Sequence, residues 1–351
     1  FIAPNTANAG DGWATFLLGA LNDRSYARYV PMQRARFRSW AGYLQDDFKL
    51  TKRITLNLGL RYEYETAPYD PEDRVSRYLD LQDPVPEMRG APPAIPADTA
   101  ALMKAPYQFT GAWHFADSSD RQMWNSPKVV FLPRVGFALR VNDKTAFRAG
   151  YARFVVPAVY MAVGGIGDTS LGSLYMPGFN ADTYVAPVLE GIPAAKFSDP
   201  FPASNPLIMP IGKGYGRYTG MGGDLRWAFQ DVKPYANERV NVTLQRELPA
   251  QIVVDATYFL NFGVNGTYNK QLNLSDPSLS YTYKAELSRR IANPFYRYLT
   301  PEKFPGQLRN QEFVTKGSLL RPYPHYGDLT QQITSGPRNR YQALQLRAQR
   351  P

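Results

Sequence analysis

Ile54–Glu65 reads ITLNLGLRYEYE. Alternate positions sort cleanly. Ile54, Leu56, Leu58, Leu60, Tyr62 and Tyr64 fall in one set; Thr55, Asn57, Gly59, Arg61, Glu63 and Glu65 fall in the other. A period of two puts the first set on one face of a β-strand and the second on its opposite face. The apolar row begins aliphatic and turns aromatic at one end. A run of this length spans roughly 40 Å, about twice the usual strand of a soluble domain. A long strand with an apolar face, an aromatic hem and a charged inner face is what an outer-membrane barrel requires.

The same pattern recurs in pairs. Upstream, SWAGYLQDDFKL sets Trp40, Gly42, Leu44 and Phe48 against Ser39, Tyr43, Gln45 and Asp47. Asp46 falls on the apolar face, near the turn. Only Thr51-Lys52-Arg53 separates this run from the next, so the two read as an antiparallel hairpin. In a second pair, PRVGFALRV sets Val135, Phe137, Leu139 and Val141 against Arg134, Gly136, Ala138 and Arg140. Asn142-Asp143-Lys144 then leads to Phe147, Ala149 and Tyr151, set against Arg148, Gly150 and Ala152. A third pair, ERVNVTLQREL and QIVVDATYFL, is joined around Leu248-Pro249-Ala250. A seventh strand is predicted from Arg340 to Arg350.

The expected organisation is a leading segment, 1–33, that is either a short helix or an early strand, and a barrel segment, 34–351. Its hairpins span 34–65, 128–156 and 237–261, and its last strand 340–350. The connections within pairs are about three residues; those at 66–127, 157–236 and 262–338 run to roughly sixty to eighty, far beyond ordinary loops. Short turns at one end and long loops at the other is the asymmetry of bacterial outer-membrane barrels, whose long loops face outwards. The fold class is therefore all-β: part of a large antiparallel transmembrane β-barrel with long extracellular loops. Leu56, Leu58, Leu60, Val135, Phe137 and Leu139 are the expected lipid-facing residues, and Arg61, Glu63, Arg134 and Arg148 the expected lumen-facing ones.

Composition agrees. The chain has 351 residues and 14% aromatics, including 24 tyrosines. Its mean hydropathy is −0.39. A low value is normal for membrane barrels, because lumen-facing residues dilute the apolar ones. The most apolar run, FVVPAVYMAVGGIG, is too short for a membrane helix and contains Pro157. There are no cysteines, which excludes disulfides and thiolate metal sites. The net charge is +10. No basic run carries it: Arg61, Arg134, Arg140, Arg148 and Arg239 occur singly at alternating strand positions. Nucleic-acid binding is thus disfavoured, and pairing with Glu63, Asp255 or a plug is expected.

These residues resemble the TonB-dependent transporter superfamily, specifically its Oar-like barrels with a carboxypeptidase-regulatory-like N-terminal domain. The blocks that carry the resemblance are SWAGYLQDDFKLTKRITLNLGLRYEYETAP (39–68), FLPRVGFALRVNDKTAFRAGYARF, Asp199-Pro200-Phe201-Pro202, QREL, LRPYPHYGDL and RYQALQLRAQR, in that order. The resemblance implies a barrel of the type with about 22 strands and a plugged lumen. It further implies residence in the bacterial outer membrane, contact with its lipid, uptake of a scarce solute of unknown identity, and a TonB-type energy-transducing partner engaged through an N-terminal part. The plug, the TonB box, a signal peptide and the final barrel strands are not found in this sequence, which reads as an internal stretch of a longer protein.

No enzyme signature is found: no nucleophile elbow, HExxH or P-loop. No cofactor or metal is expected. His114 and His325, the only histidines, read as ordinary loop residues. Gly164-Gly165-Ile166-Gly167 reads as a flexible loop, and the sequons at Asn241, Asn265 and Asn273 as chance. The aromatic segments TYVAPVLEGIPAAKFSDPFP and NPFYRYLTPEKFPGQL fit either a substrate-contacting mouth or loops packed on one another as a cap. Alternatives to an energised transporter are a passive porin or adhesin barrel and a soluble β-rich carbohydrate-binding or structural protein.

Overall fold

The computed structural model describes residues 12–21, 25–29, 34–103, 105–163, 177–185, 188–189, 192–193 and 195–350. Seven long strands form one antiparallel sheet: β1 (Ser39–Lys49), β2 (Ile54–Glu65), β3 (Val130–Asn142), β4 (Thr145–Val156), β5 (Tyr235–Leu248), β6 (Ile252–Val264) and β7 (Asn339–Gln349). Their spatial order is their chain order, so the sheet is an up-and-down meander. It is open: among the described residues the outer edges of β1 and β7 pair with no further strand.

Register turns the alternation of single strands into continuous rows. One row runs Phe48, Leu56, Phe137, Ala149, Val242, Tyr258 and Leu344 from β1 to β7. The next runs Leu58, Val135, Tyr151, Val240 and Leu260. Leu56, Leu58, Leu60, Val135, Phe137 and Leu139 all lie on this apolar face, and Leu58, Leu60 and Val135 remain about half exposed. Asp46 shares the face, directly opposite Leu58 and so further up the strand than the turn. Towards the end of the sheet that carries the long connections, the face turns aromatic. Trp40 stacks on Tyr64 at 5.5 Å, Tyr62 meets Phe131 at 5.3 Å, and the Tyr62 hydroxyl donates to the Lys128 carbonyl. Aromatic rings with a polar tip suit a boundary that is apolar on one side and wet on the other.

The short turns are held locally. Thr51 Oγ1 accepts from the amides of Arg53 and Ile54, and Asn142 Oδ1 accepts from that of Lys144. The third turn, Pro249–Gln251, places Ala250 at φ 63° and Gln251 at φ 58°.

The long connections contain both hydrophobic cores. One gathers Val75, Trp124, Val159, Phe179 and Ile333; the other gathers Trp113, Trp227, Phe295, Phe304, Leu319 and Leu329. Every one of these residues lies between long strands. Short pairings stiffen the assembly. Ser76–Pro84 pairs with Thr110–Phe115, and Leu329–Ser335 lies between Leu225–Ala228 and Thr267–Gln271. Glu87 joins all three connections, accepting from Tyr218 Oη at 2.6 Å and Lys303 Nζ at 2.9 Å. Burial would raise the Glu87 carboxyl, but these hydrogen bonds outweigh it and hold it below the ordinary range. The connections are thus a folded cap. In its segment 293–308, Phe295 and Phe304 are stacked and fully buried, so these two rings pack the cap, while residues 305–308 line a cleft within it.

Of the two alternatives for the leading segment, the stretch around Trp13 is helical. A short helix spans Gly12–Leu17, and a strand, Tyr26–Tyr29, pairs with Ala181–Tyr184 in the second long connection. Gly164-Gly165-Ile166-Gly167 lies outside the described residues.

Candidate functional site: the lumen wall and a cleft in the cap

Each lumen-face residue sits where its strand parity puts it. Arg61 and Glu63 pair with each other, Nε to Oε1 at 2.6 Å. Arg134 and Arg148 belong to neighbouring strands but do not meet. Arg134 lies opposite Ala152 and Arg148 opposite Ala138, four residues further along the strand. The Arg134 guanidinium sits 5.2 Å from the Phe154 ring centroid, and that of Arg239 is equally close to the same ring. A ring face attracts cations, and here it serves two. Arg148 has no ion-pair partner among the described residues. The expected pairing of arginines with Asp255 is not found there either.

Between these groups the wall is thin. Asp47, Asn57, Gly136, Gly150 and Asn241 form one row. Asn57 donates to Asp47 at 2.6 Å, and its Oδ1 lies 3.1 Å from where a Gly136 Cβ would stand. The glycine therefore makes room for an amide laid flat on the sheet. At the rim Glu65 accepts from the Val159 amide at 3.1 Å, tying β2 to the cap.

A cleft of about 1340 Å³ lies within the cap, lined mainly by the second and third long connections. Four arginines line it. Arg28 grips Asp182 through two hydrogen bonds of 2.7 and 2.8 Å, and Arg321 pairs with Asp328 at 3.1 Å. Among the described residues Arg226 and Arg290 have no carboxylate partner; Arg290 lies 5.2 Å from the Phe313 centroid. Behind the cleft wall the Tyr326 side chain is 2% exposed, its ring tip against Gly111 and its hydroxyl bonded to none of the described residues; burial pushes that hydroxyl's pKa up. One lip is apolar and exposed: Ile208, Met209 and Ile211. Of these residues only Arg321, Tyr326 and Asp328 lie in a block the sequence singled out, LRPYPHYGDL, and nothing there marked them as lining a cleft. The cleft joins positions as distant as Arg28 and Arg321, and no periodicity marks such a set.

The two histidines are structural. His114 stacks on Tyr78 at 4.6 Å. His325 is not an ordinary loop residue: it is fully buried, with Nε2 3.0 Å from the Thr110 carbonyl, and burial pushes its pKa down to about 3. Asn273 is buried too, donating to the carbonyls of Tyr323 and Gly327, so its sequon is a packing residue. Among the described residues no group of three or more His, Cys, Asp or Glu could hold a metal ion.

A two-faced antiparallel meander with an aromatic hem and a polar inner wall defines a membrane-spanning β-barrel. The chain belongs to the outer membrane beta barrel domain family, whose model matches residues 2–351. Its place is the bacterial outer membrane, and its resemblance to TonB-dependent barrels accords with this family. No curated protein matches it. Among solved structures it is similar to the hemophore receptor HasR of Serratia marcescens in complex with its hemophore HasA and heme. The identity there is 10% over 92% of this chain and 38% of that one, with a TM-score of 0.35. It is also similar to the ferric enterobactin receptor PfeA of Pseudomonas aeruginosa, at 9% identity over 89% and 33% with a TM-score of 0.31. The alcaligin outer membrane receptor FauA of Bordetella pertussis matches at 10% identity over 67% and 22%, with a TM-score of 0.26. The chain thus spans between about a fifth and two fifths of the length of these receptors.

Proposed function

We propose that this chain is part of the barrel of a TonB-dependent outer-membrane transporter, with the long connections outside the cell and the short turns in the periplasm. The observation that carries the reading is the pairing of one polar wall with one folded cap. The inner face of the sheet bears Arg61, Glu63, Arg134, Arg148 and Arg239, more charge than a wall facing only lipid or a dry core would hold. Above it the connections build two hydrophobic cores and a cleft with unneutralised arginines. A rigid scaffold carrying such a cleft suits capture of a solute before passage. The lumen-wall charges are suited to hold a plug through charge-assisted hydrogen bonds.

The competing reading is a passive porin. Planar bilayers separate the two. Full-length protein with a plug in its lumen should pass no steady current, whereas a porin gives an ohmic one. A steady open-channel current from the full-length protein refutes the transporter reading.

A further inference from the structure

We propose that the cap cleft binds an extended acidic peptide carrying apolar side chains; this rests on the receptor reading above and names its class of ligand. Three features converge there.

The first is charge. Arg226 and Arg290 line the cleft without a carboxylate of their own, while Arg28 and Arg321 are held by Asp182 and Asp328. The remaining acid in the lining is Asp224, whose Oδ1 is taken up by the Asp328 amide. Two guanidiniums are therefore free to accept a bidentate carboxylate each.

The second is an open strand edge. Phe313–Thr315 pairs with Arg290–Ala292 on one side. The flanking bonds, Asn293 amide to Glu312 carbonyl and Lys316 amide to Arg289 carbonyl, fix the phase of the ladder. Antiparallel pairs alternate, so Val314 bonds inward and the amides of Phe313 and Thr315 point away from their partner strand. All three residues line the cleft. On that edge the Thr315 carbonyl already accepts from Ser318 Oγ at 2.7 Å, while the Phe313 and Thr315 amides have no backbone acceptor among the described residues; such an edge in a recognition cleft is suited to an added peptide strand, which supplies matching backbone groups.

The third is the lining itself. Ile208, Met209 and Ile211 are 58%, 56% and 44% exposed, a solvated apolar lip beside the arginines. Aliphatic and thioether side chains suit apolar peptide residues, and the exposed Tyr184 and Phe313 add aromatic surface to the same lining. The volume, about 1340 Å³, exceeds the usual range for one small molecule and suits several residues of extended chain.

The test uses full-length protein in lipid nanodiscs and fluorescence anisotropy. The probes are a fluorescein-labelled octapeptide alternating Glu and Leu, its Gln-for-Glu counterpart, and an oligogalacturonate of similar length. The Glu-Leu peptide should bind at least tenfold more tightly than the other two. Arg226→Gln and Arg290→Gln should each weaken it about tenfold, the loss of one charge-assisted contact. Ile208→Ser with Met209→Ser should weaken it while leaving the thermal midpoint unchanged. The proposal is overturned if the Gln peptide binds equally well, if oligogalacturonate is preferred, or if correctly folded arginine variants bind as the parent does. Failure here with a sealed barrel in planar bilayers removes the peptide and leaves the transporter. An ohmic current with peptide binding intact does the reverse.

Discussion

Placing an arginine on each face of β5 tests the two-faced wall directly. Val242 and Asn241 are neighbours in sequence and point to opposite faces. Val242 sits in the row Phe48, Leu56, Phe137, Ala149, Val242, Tyr258 and Leu344, which contains no charge. It is the eighth residue of the strand Tyr235–Leu248. At about 3.4 Å per residue and a tilt near 40°, it lies roughly 16–18 Å in height from either strand end, close to the middle of the lipid-facing band. Val242→Arg should therefore cost about 2–4 kcal/mol. Leu58 would be a blunter choice, because Asp46 stands opposite and would pair with the new guanidinium. Asn241 faces the lumen over Gly150, on an exposed stretch of wall. Asn241→Arg keeps its charge in water and should cost less than about 1 kcal/mol. The measurement is the folded fraction of full-length protein in phosphatidylcholine vesicles against guanidinium concentration, read as resistance to unfolding on unheated gels. Equal losses at both positions, or a larger loss at Asn241, would refute the assignment of faces and with it the barrel.

Three further outcomes follow from the cap. Phe304→Ala removes a fully buried ring stacked on Phe295 at 5.8 Å and should destabilise the cap by about 3–5 kcal/mol, seen as faster proteolysis between residues 265 and 338. Gly222 has φ +85° with the Phe304 ring against it, so Gly222→Ala combines backbone strain with a clash and should loosen the same core by at least about 1 kcal/mol in that assay. His325 is neutral in the folded cap, its pKa pushed down to about 3, while the opened chain takes up a proton near pH 6.5. Stability is then complete above pH 6.5 and falls as pH drops towards 3, by about 1.4 kcal/mol per unit. Hydrogen exchange in the cap should accelerate about tenfold per pH unit between 6.5 and 4.5 once intrinsic exchange is divided out, and His325→Asn should flatten that slope.

The sheet was legible because its information is local. In Ile54–Glu65 the parity of each residue states its face, and register adds only which rows line up. The turn at Asn142-Asp143-Lys144 was equally plain, since Asn142 caps its own turn. The cap was not legible. Trp113, Trp227, Phe295 and Leu329 form one core from all three long connections, and no window of a few residues can show that. His325 illustrates the failure: polar composition around it reads as loop, yet tertiary packing buries it completely. Parity puts the four charged wall residues on one face of the sheet, but it does not state which groups they touch. Arg61 found Glu63 two residues away, whereas Arg134 met Phe154 and Arg239 across the sheet.

The low mean hydropathy has its cause in this division. One chain meets three environments: lipid along the outer rows, water along the inner rows, and a protein interior within the cap. The outer rows hold Leu60, Leu344 and Leu346 at 48%, 66% and 72% exposure, values that would be a liability on a soluble surface and that lipid covers. The inner rows alternate with them residue by residue, so any running average cancels. The cap holds its buried apolar residues singly or in pairs such as Met123-Trp124 and Leu319-Leu320, with no sustained period. Each environment selects its own residues by a different rule: parity for the wall, tertiary contact for the cap. A solute-recognising surface that depends on the second rule can change while the first stays fixed. Arg226 and Arg290, on which recognition is proposed to depend, lie outside every block that carries the family resemblance, although one cap block, LRPYPHYGDL, supplies Arg321 to the same cleft.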